Sequence, residues 1–542
     1  MRILPPKGER LLPLLSGLLL AISFPPFELL VPPFVALAPL LVFIETRARD
    51  DAGRWAAARG GFWAGLVYFG ILLYWLIVAL IFYSKLAIAA YALTVLILGL
   101  FTATFASGVH YLRRKRVAPL WVVAPLLWTT LEWVQGNLGD LAFPWLGLGS
   151  ALASYPILAG GADLVGARGM TLVVALVAAL VAEALLRARM RGRWFVPAGA
   201  ALAVVAVMAG YGWMRAQTLE LRPAARVAVV QPNIPEDLKL DRVAGIDSSL
   251  KALANLTATL QGQDVDLIVW PEVAIPAVLT RGYEPQMRQM VLALSEHAGA
   301  PIVVGAYDEL PGERRAFLNA AFVADPDGFR ESSYGKRHLV PFVERIPFID
   351  PAMLESIIGD VRYFGGLGKG PDTPVWDVGG VRDGAGASAA DAARFGILIC
   401  YESIFAGLSR TYRQGGADFL VNMTNDAWYG REPWYARTSA LWQHPAHLTM
   451  RAIETRVGIA RAANTGISMF IDPIGRTYQR TELFEPDVRI GTVYTTDATT
   501  LFVRWGDWLA TMAALATVLL LVLARWGRRG DRGGRGSDTS AG

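Results

Sequence analysis

Apolar runs of two different lengths divide the chain into regions with different predicted structure. The first ~215 residues form a succession of long apolar runs, and a helix of about 20 residues is enough to cross a bilayer. These runs predict seven spans, at residues 9–27, 30–45, 61–83, 87–110, 118–134, 159–186 and 195–214. One more run of this length lies at residues 501–526. The pattern therefore predicts a membrane α-helical bundle of about eight spans.

Residues 216–500 lose this character and alternate short β-branched runs with polar stretches. Near-continuous apolar strands separated by helices are typical of α/β layers whose sheets are buried on both faces. The middle region is therefore predicted to be an α/β domain. Its strands are predicted at 226–231, 266–272, 301–307, 320–325, 395–400, 418–426 and 467–473. Its helices are predicted at 243–261, 284–298, 403–414 and 438–456.

These patterns predict four segments along the chain. They are a transmembrane region of about seven helices (1–215), the α/β domain (216–500), a last membrane helix (501–526) and a basic tail (527–542). The Gly-, Ala- and Asp-rich stretch 378–394 has no apolar periodicity and is predicted to be a surface insertion. The first apolar run has a basic start, as a secretory signal peptide does. It lacks a clear small-residue cleavage site and further spans follow it, which favours an uncleaved first span.

Composition and charge agree with a membrane protein. Of the residues, 54% are hydrophobic and 18% charged, whereas soluble domains carry about 25% charged residues. The net charge of +5 does not indicate nucleic acid binding, because the basic residues are concentrated in loops between predicted spans. Basic loops face the cytoplasm, and they alternate here with loops nearly bare of Lys and Arg. Both termini are therefore predicted to be cytoplasmic and residues 216–500 extracytoplasmic. The basic residues are Arg2, Lys7, Arg10, Arg47, Arg49, Arg54, Arg59, Arg113, Arg114, Lys115, Arg116, Arg187, Arg189, Arg191, Arg193, Arg525, Arg528, Arg529, Arg532 and Arg535.

Three predicted strand ends, or the loops after them, carry ionisable side chains. Glu272 ends DLIVWPE, Lys336 and Glu344 lie in YGKRHLVPFVERIP, and Cys400, the only cysteine, lies in RFGILICYESIF. A thiolate is a nucleophile, a carboxylate can take its proton, and an ammonium can stabilise an oxyanion. Spacing alone leaves two interpretations open. A lone cysteine after a strand is more often a core residue, and lone Glu and Lys residues are more often solvated.

The residues around these side chains resemble a known family. WPE, GKRHLVPF and ICYE, followed by NMTNDAWYG, resemble in that order the nitrilase, or carbon–nitrogen hydrolase, superfamily. With seven predicted spans before them and one after, they are similar to the apolipoprotein N-acyltransferase family. The resemblance implies a nitrilase-like α-β-β-α sandwich with Glu272 as base, Lys336 as oxyanion cation and Cys400 as nucleophile. The supporting or substrate-binding residues that it implies are Glu344, Tyr401, Glu402 and Trp428.

The same resemblance implies a ping-pong acyl transfer at the bacterial cytoplasmic membrane. The expected partners are a phospholipid, which donates a fatty acyl chain to the cysteine, and an apolipoprotein. The free α-amine of the diacylglyceryl-cysteine of that apolipoprotein then takes the acyl chain from the thioester. No cofactor is expected, because a thioester is reactive enough to form an amide. No metal is expected either, since His444 and His447 lie three apart in a helix-like run where packing or solvent contact is the commoner role.

Two other functions share parts of this pattern. A membrane-tethered amidase for small amides shares the three ionisable residues. A transporter or a ligand-binding sensor needs ionisable residues inside the spans, and these are sparse, with Glu132 and Glu183 near span ends. The uncharged stretch around FPWLGLG in the loop 136–156 and a set of aromatic side chains favour a lipid substrate, because such side chains meet lipid headgroups. The aromatic residues are Trp428, Tyr429, Trp434, Tyr435, Trp505 and Trp508.

Overall fold

The computed structural model describes most of the chain. The described residues are 8, 10–47, 53–81, 85–240, 242–280, 285–310, 317–349, 353, 365–378 and 392–530. Most of the predicted insertion 378–394, and the end of the predicted basic tail, lie outside these residues.

Ten helices precede the α/β domain in the described part of the chain. The helix α9 is interrupted at Gly166, which has a φ of +71° that suits a glycine. Helices α4 and α5 are bent by 52° at the break between them. The ten are α1 (Leu11–Ala21), α2 (Pro32–Val35), α3 (Ala38–Arg47), α4 (Gly53–Leu72), α5 (Trp75–Ile81), α6 (Ala87–Arg114), α7 (Leu120–Gln135), α8 (Pro156–Ala159), α9 (Ala162–Arg189) and α10 (Phe195–Thr218).

Thirteen strands form two sheets in the described residues. The first sheet has the order β13-β1-β2-β3-β4-β5, with β6 paired to β4, and the second has the order β12-β11-β10-β9-β8-β7. The central strands β1, β2 and β3, and likewise β8, β9 and β10, are parallel. The strands are β1 (Arg222–Gln231), β2 (Leu267–Val269), β3 (Ile302–Glu309), β4 (Phe317–Asp325), β5 (Gly328–Phe329), β6 (Tyr334–Gly335), β7 (Trp376–Asp377), β8 (Arg394–Ile399), β9 (Phe419–Thr424), β10 (Gly458–Ala463), β11 (Met469–Ile471), β12 (Thr477–Tyr478) and β13 (Asp487–Thr495).

The two sheets pack face to face and are covered by helices, which gives the expected α-β-β-α sandwich. Helices α12 and α13 pack on the first sheet and α14 and α15 on the second. Side chains of β1 alternate accordingly: Val227 and Val229 belong to the core between the sheets, and Ala228 and Val230 to the core under the helices. The helices are α11 (Glu236–Leu240), α12 (Arg242–Ala258), α13 (Pro285–Ala298), α14 (Ala406–Gln414) and α15 (Ala440–Thr455).

The chain ends with two helices, α16 (Leu501–Trp505) and α17 (Trp508–Gly530). By length and composition, four helices of the described residues can cross a membrane: α6, α9, α10 and residues 508–526 of α17. The bent pair α4 and α5 makes a fifth if it is one span. The predicted number of about eight spans is therefore not confirmed. The first two predicted spans contain only short helices, and α2 begins with Pro32 and Pro33, since proline is tolerated in the first turn of a helix and disfavoured in its interior.

Buried ion pairs join the sandwich to the helices before it. Arg456, at the C-terminal end of α15, is 1% exposed; its Nε donates to Asp163 Oδ2 at 3.0 Å, and its Nη2 lies 2.9 Å from the same oxygen. Arg215 Nε donates to the same oxygen at 2.9 Å, and the Tyr211 hydroxyl donates to Oδ1 at 2.8 Å. At the break in α9, the Ala167 N–H donates to Glu454 Oε1 at 2.7 Å. The sandwich is thus fixed in position on the helices before it.

Candidate active site

Cys400 lies at a sharp turn between a buried strand and a short helix. It follows β8 directly and begins the 3₁₀ helix Cys400–Ile404. Its φ is +49°, in the left-handed region that non-glycine residues rarely adopt. Such a conformation costs about 1–3 kcal/mol and persists only where the surrounding structure holds it. The turn brings the thiol, which is 5% exposed, to the edge of the sheet.

Glu272 and Lys336 come from the first sheet and meet Cys400 from the other side. Glu272 follows β2 and Lys336 follows β6. Lys336 Nζ donates to Glu272 Oε1 at 2.9 Å, and both side chains are nearly inaccessible to solvent. Besides burial, the charge of Glu272 raises the pKa of the Cys400 thiol, so the two groups also lie close together. The three residues that the sequence singled out therefore lie together at the edges of two facing sheets.

Glu344 joins the same cluster through the lysine. Lys336 Nζ donates to Glu344 Oε1 at 2.9 Å, and the Val340 N–H donates to Glu344 Oε2 at 2.8 Å. Asn319 Nδ2 bridges the two carboxylates, donating to Glu272 at 2.8 Å and to Glu344 at 2.9 Å. Sequence reasoning missed Asn319. Its signal was one polar residue inside the apolar strand FLNAAFVAD, which had been predicted to begin only at residue 320.

The charges of this cluster set its protonation. Burial favours the neutral form of Glu272, but the Lys336 ammonium outweighs it and lowers the pKa of that carboxyl below its ordinary value. Burial also favours the neutral form of Lys336, but Glu272 and Glu344 raise its pKa well above the usual range. Burial and then the charge of Glu272 raise the pKa of the Cys400 thiol, against the effect of Lys336. These shifts favour a thiol beside an ionised carboxylate and an ammonium, an arrangement that suits general-base chemistry.

Glu402, two residues after the cysteine, is fully buried and does not line the active-site cavity. Its Oε2 accepts the Ile399 N–H at 2.7 Å, its Oε1 accepts the Arg337 N–H at 2.7 Å, and both accept from the Tyr334 hydroxyl at 2.8 Å. Burial raises the pKa of Glu402 to about 7, against these hydrogen bonds. Glu402 thus connects the cysteine turn to the lysine loop and has no access to substrate.

Tyr401 and Trp428 lie on the cavity wall. The Tyr401 hydroxyl donates to the carbonyl of Ala142 at 3.1 Å, which attaches the cysteine turn to the loop 136–156. Trp428 is partly buried and lines the cavity beside Cys400. Trp434 and Tyr435, by contrast, are about three-quarters exposed, at 75% and 74%.

A second polar cluster lies under the cysteine, and the sequence did not indicate its place. His444 is fully buried; its Nε2 donates to the Cys400 carbonyl at 3.1 Å, and its Nδ1 lies 2.9 Å from Asp426 Oδ1. Arg461 Nη2 donates to Asp426 Oδ2 at 2.5 Å. Burial alone would raise the pKa of Asp426, but Arg461 and then His444 hold it well below its usual range. His444 is therefore a packed side chain, which was one of its two predicted roles. It also holds the backbone of Cys400, the residue with the positive φ.

A cavity of about 630 Å³ leads from the cluster to the membrane helices. Such a volume suits a small-molecule ligand. Apolar side chains of α5 and α6 form one wall of the cavity, and residues of the loop 136–156 form another. The side chains at the reactive end include Glu272, Lys336 and Cys400. Across the described residues, no group of three or more His, Cys, Asp or Glu could hold a metal ion.

Comparison with known proteins gives the family of this chain. Residues 16–180 match the model of the apolipoprotein N-acyltransferase N-terminal domain, and residues 226–500 match the carbon–nitrogen hydrolase model. An apolipoprotein N-acyltransferase of Geobacter metallireducens is 32% identical over 511 residues, which cover 93% of this chain and 92% of the relative. The chain belongs to the apolipoprotein N-acyltransferase family. The protein is thus an acyltransferase.

A second relative agrees with this assignment. The apolipoprotein N-acyltransferase of Bradyrhizobium diazoefficiens is 32% identical over 531 residues, which cover 91% of this chain and 90% of the relative. Among solved structures, an amidase from Nesterenkonia sp. is 17% identical, covers 52% of this chain and 93% of its own, and has a TM-score of 0.35. The nitrilase-like fold rests on the family model and the two facing sheets.

Proposed function

We propose that this acyltransferase moves a fatty acyl chain from a membrane phospholipid to the free α-amine of a diacylglyceryl-cysteine at the N-terminus of an apolipoprotein. One observation supports the proposal most directly. The cavity that contains Glu272, Lys336 and Cys400 is continuous with an apolar wall built by α5 and α6. A soluble amide needs no such wall, whereas an acyl chain that comes from the bilayer does.

In the first half-reaction, Glu272 takes the proton of the Cys400 thiol and the sulfur attacks the ester carbonyl of the phospholipid. Lys336 and the N–H group of Tyr401 stabilise the oxyanion. The C–O bond of the ester breaks, the proton on Glu272 passes to the leaving alkoxide, and a lysophospholipid leaves. The acyl chain remains on Cys400 as a thioester. Glu344 keeps Lys336 charged and in position throughout, since it accepts from Nζ at 2.9 Å.

In the second half-reaction, the neutral amine of the acceptor attacks the thioester carbonyl. The amine gives a proton to Glu272, the C–S bond breaks, and Glu272 returns the proton to the sulfur. The products are the amide and the free thiol. Because both substrates use the same thiol in turn, the kinetics are ping-pong.

The proposed location is the bacterial cytoplasmic membrane, with both termini in the cytoplasm and the sandwich outside. The support is the alternation of basic and bare loops, since basic loops stay on the cytoplasmic side. Reporter cysteines at the exposed positions Ser154 and Arg54, each in a Cys400→Ser background, test the orientation in intact cells. An impermeant thiol reagent should label position 154 and not position 54. Labelling of position 54 from outside contradicts the orientation.

The experiment that tests the substrate class uses two substitutions on one helix. Ala90 of α6 lines the cavity, whereas Ala92 of the same helix is exposed. Ala90→Trp should lower transfer from a long-chain phospholipid at least ~10-fold and should favour shorter acyl chains, while Ala92→Trp should match the wild type. Equal rates in both variants, or hydrolysis of small amides without transfer, contradict the proposal and favour the tethered amidase.

A further inference from the structure

The active-site cavity carries more negative than positive charge. Among the described residues that line it, the acidic and basic side chains are Glu236, Glu272, Glu344 and Lys336. Three carboxylates thus line one cavity with one ammonium, and Lys336 Nζ bonds Glu272 and Glu344 at 2.9 Å each. Glu236 is the carboxylate to which the proposed mechanism gives no part.

Asn425 connects Glu236 to the base. Glu236 begins α11 and is 7% exposed. Asn425 Nδ2 donates to Glu236 Oε2 at 2.8 Å, and the backbone N–H of Asn425 donates to Glu272 Oε2 at 3.0 Å. Asn425 is itself fixed by Asn464, whose Nδ2 donates to its Oδ1 at 2.9 Å. The two carboxylates are therefore held at a fixed separation, and both line the cavity that contains Cys400.

A second buried group in the cavity needs a hydrogen-bond donor. Asn319 lines the cavity and is 3% exposed. Its Nδ2 donates to Glu272 and Glu344, but no described residue donates to its Oδ1, which is buried. A buried acceptor is costly unless something donates to it. This acceptor calls for a ligand that brings N–H or O–H groups.

We propose that Glu236 binds the α-ammonium group of the acceptor, and that Asn319 Oδ1 accepts one of its N–H bonds. This inference rests on the proposed function. An α-amine has a pKa of about 7.7–8.0, so at pH 7 it arrives mostly as an ammonium with three donors. The ester that the phospholipid presents to the thiol is uncharged and offers no N–H donor.

The proton balance of the second half-reaction follows from this binding. The bound ammonium loses one proton to solvent and becomes the neutral nucleophile. When its nitrogen bonds to the thioester carbon, the next proton passes to Glu272. The C–S bond then breaks, and Glu272 returns that proton to the sulfur of Cys400. Glu236 remains a carboxylate throughout and acts on acceptor binding alone.

The test separates the two half-reactions in Glu236→Gln, which keeps an oxygen for Asn425. Purified enzyme is first acylated with phospholipid, and the acyl-enzyme is then discharged by a diacylglyceryl-cysteine peptide or by hydroxylamine, which is uncharged at pH 7. Discharge by the peptide at pH 7 should slow about tenfold to a hundredfold, as expected for the loss of a hydrogen bond between charged groups. Acylation and discharge by hydroxylamine should change much less. Asp237→Asn, which removes an exposed carboxylate from the same helix, should behave as the wild type.

The pH dependence gives the sharper readout. Above pH ~9 the peptide amine is neutral in solution, so the defect of Glu236→Gln should largely disappear. An equal defect at both pH values, or an equal loss in both half-reactions, overturns the inference. A variant that is acylated and is discharged by the peptide at the wild-type rate at pH 7 overturns it as well. If the wild-type enzyme forms no acyl-enzyme at all, the proposed function itself fails, and that outcome is visible before the peptide is added.

Discussion

Replacing Lys336 with Met tests how the buried charges of the active site depend on one another. Lys336 Nζ lies 2.9 Å from an oxygen of Glu272 and 2.9 Å from an oxygen of Glu344, and the lysine side chain is 1% exposed. Met has a similar length but no charge. The variant therefore leaves two carboxylates buried on the same Asn319 amide without the cation that they share.

The buried position of Lys336 sets how much the Lys336→Met variant loses in stability and in acyl transfer. Breaking a buried ion pair by removing one partner costs about 3–5 kcal/mol, because an uncompensated charge stays behind. Two neighbouring carboxylates do not both ionise easily, so the pKa of one of them rises. The variant then loses the oxyanion cation and part of the base, and acyl transfer should fall at least ~100-fold. In the wild type the pKa of Glu272 is lowered, so its ionisation is complete below neutral pH. In the variant the residual activity should instead increase as the pH rises through the neutral range.

The assay combines thermal unfolding in detergent with acyl transfer. Adding Glu344→Gln to Lys336→Met removes one of the two buried charges, so the double variant should be more stable than the single one and still inactive. Lys369 provides the control, since its ion pair with Asp140 is exposed at 44% and 37%. Lys369→Met should change stability by less than about 1 kcal/mol. A double variant no more stable than Lys336→Met, or near-wild-type transfer by either, refutes the reasoning.

Three further predictions follow from the same contacts. Glu272→Gln should insert and fold but form acyl-enzyme at least ~100-fold more slowly; near-wild-type rates in a rapid-quench assay remove Glu272 from the mechanism. His444→Phe removes the hydrogen bond to the Cys400 carbonyl and should slow acylation about tenfold. If iodoacetamide alkylates the thiol of the variant with the same pH dependence as in the wild type, His444 does not position the cysteine. Asp163→Asn leaves Arg215 and Arg456 without their shared carboxylate and should cost about 3–5 kcal/mol of unfolding free energy; thermal unfolding equal to that of the wild type contradicts this prediction.

Strands of uniform apolar character could be predicted from the sequence, and interrupted ones could not. The run FGILIC predicted β8 to within one residue at each end. Strand β10 was missed because GIARAA contains Arg461, and a charged residue argues against burial. In the structure Arg461 is fully buried because it pairs with Asp426 and Asn422. Such a pairing joins residues far apart in sequence, and no local pattern reports it.

The same limit applies to the active site. Glu272, Lys336 and Cys400 could be assigned to one site because each stands in a motif that resembles the nitrilase superfamily. Asn319 and Glu236 stand in no such motif, and only the structure shows that they line the same cavity as Cys400. The number of spans is not confirmed for a related reason. Hydropathy reports that a run is apolar, but proline positions and packing decide whether it becomes one long helix.

The acyl-enzyme itself tests the central claim most directly. Purified protein is mixed with phospholipid and no acceptor, and its intact mass is measured before and after hydroxylamine. The account predicts a gain of one fatty acyl group, its removal by hydroxylamine, and its location on the peptide ILICYES, since Cys400 is the only cysteine. A folded Cys400→Ser variant should gain nothing. An acyl group that hydroxylamine cannot remove, or a serine variant that still transfers acyl chains, contradicts the account.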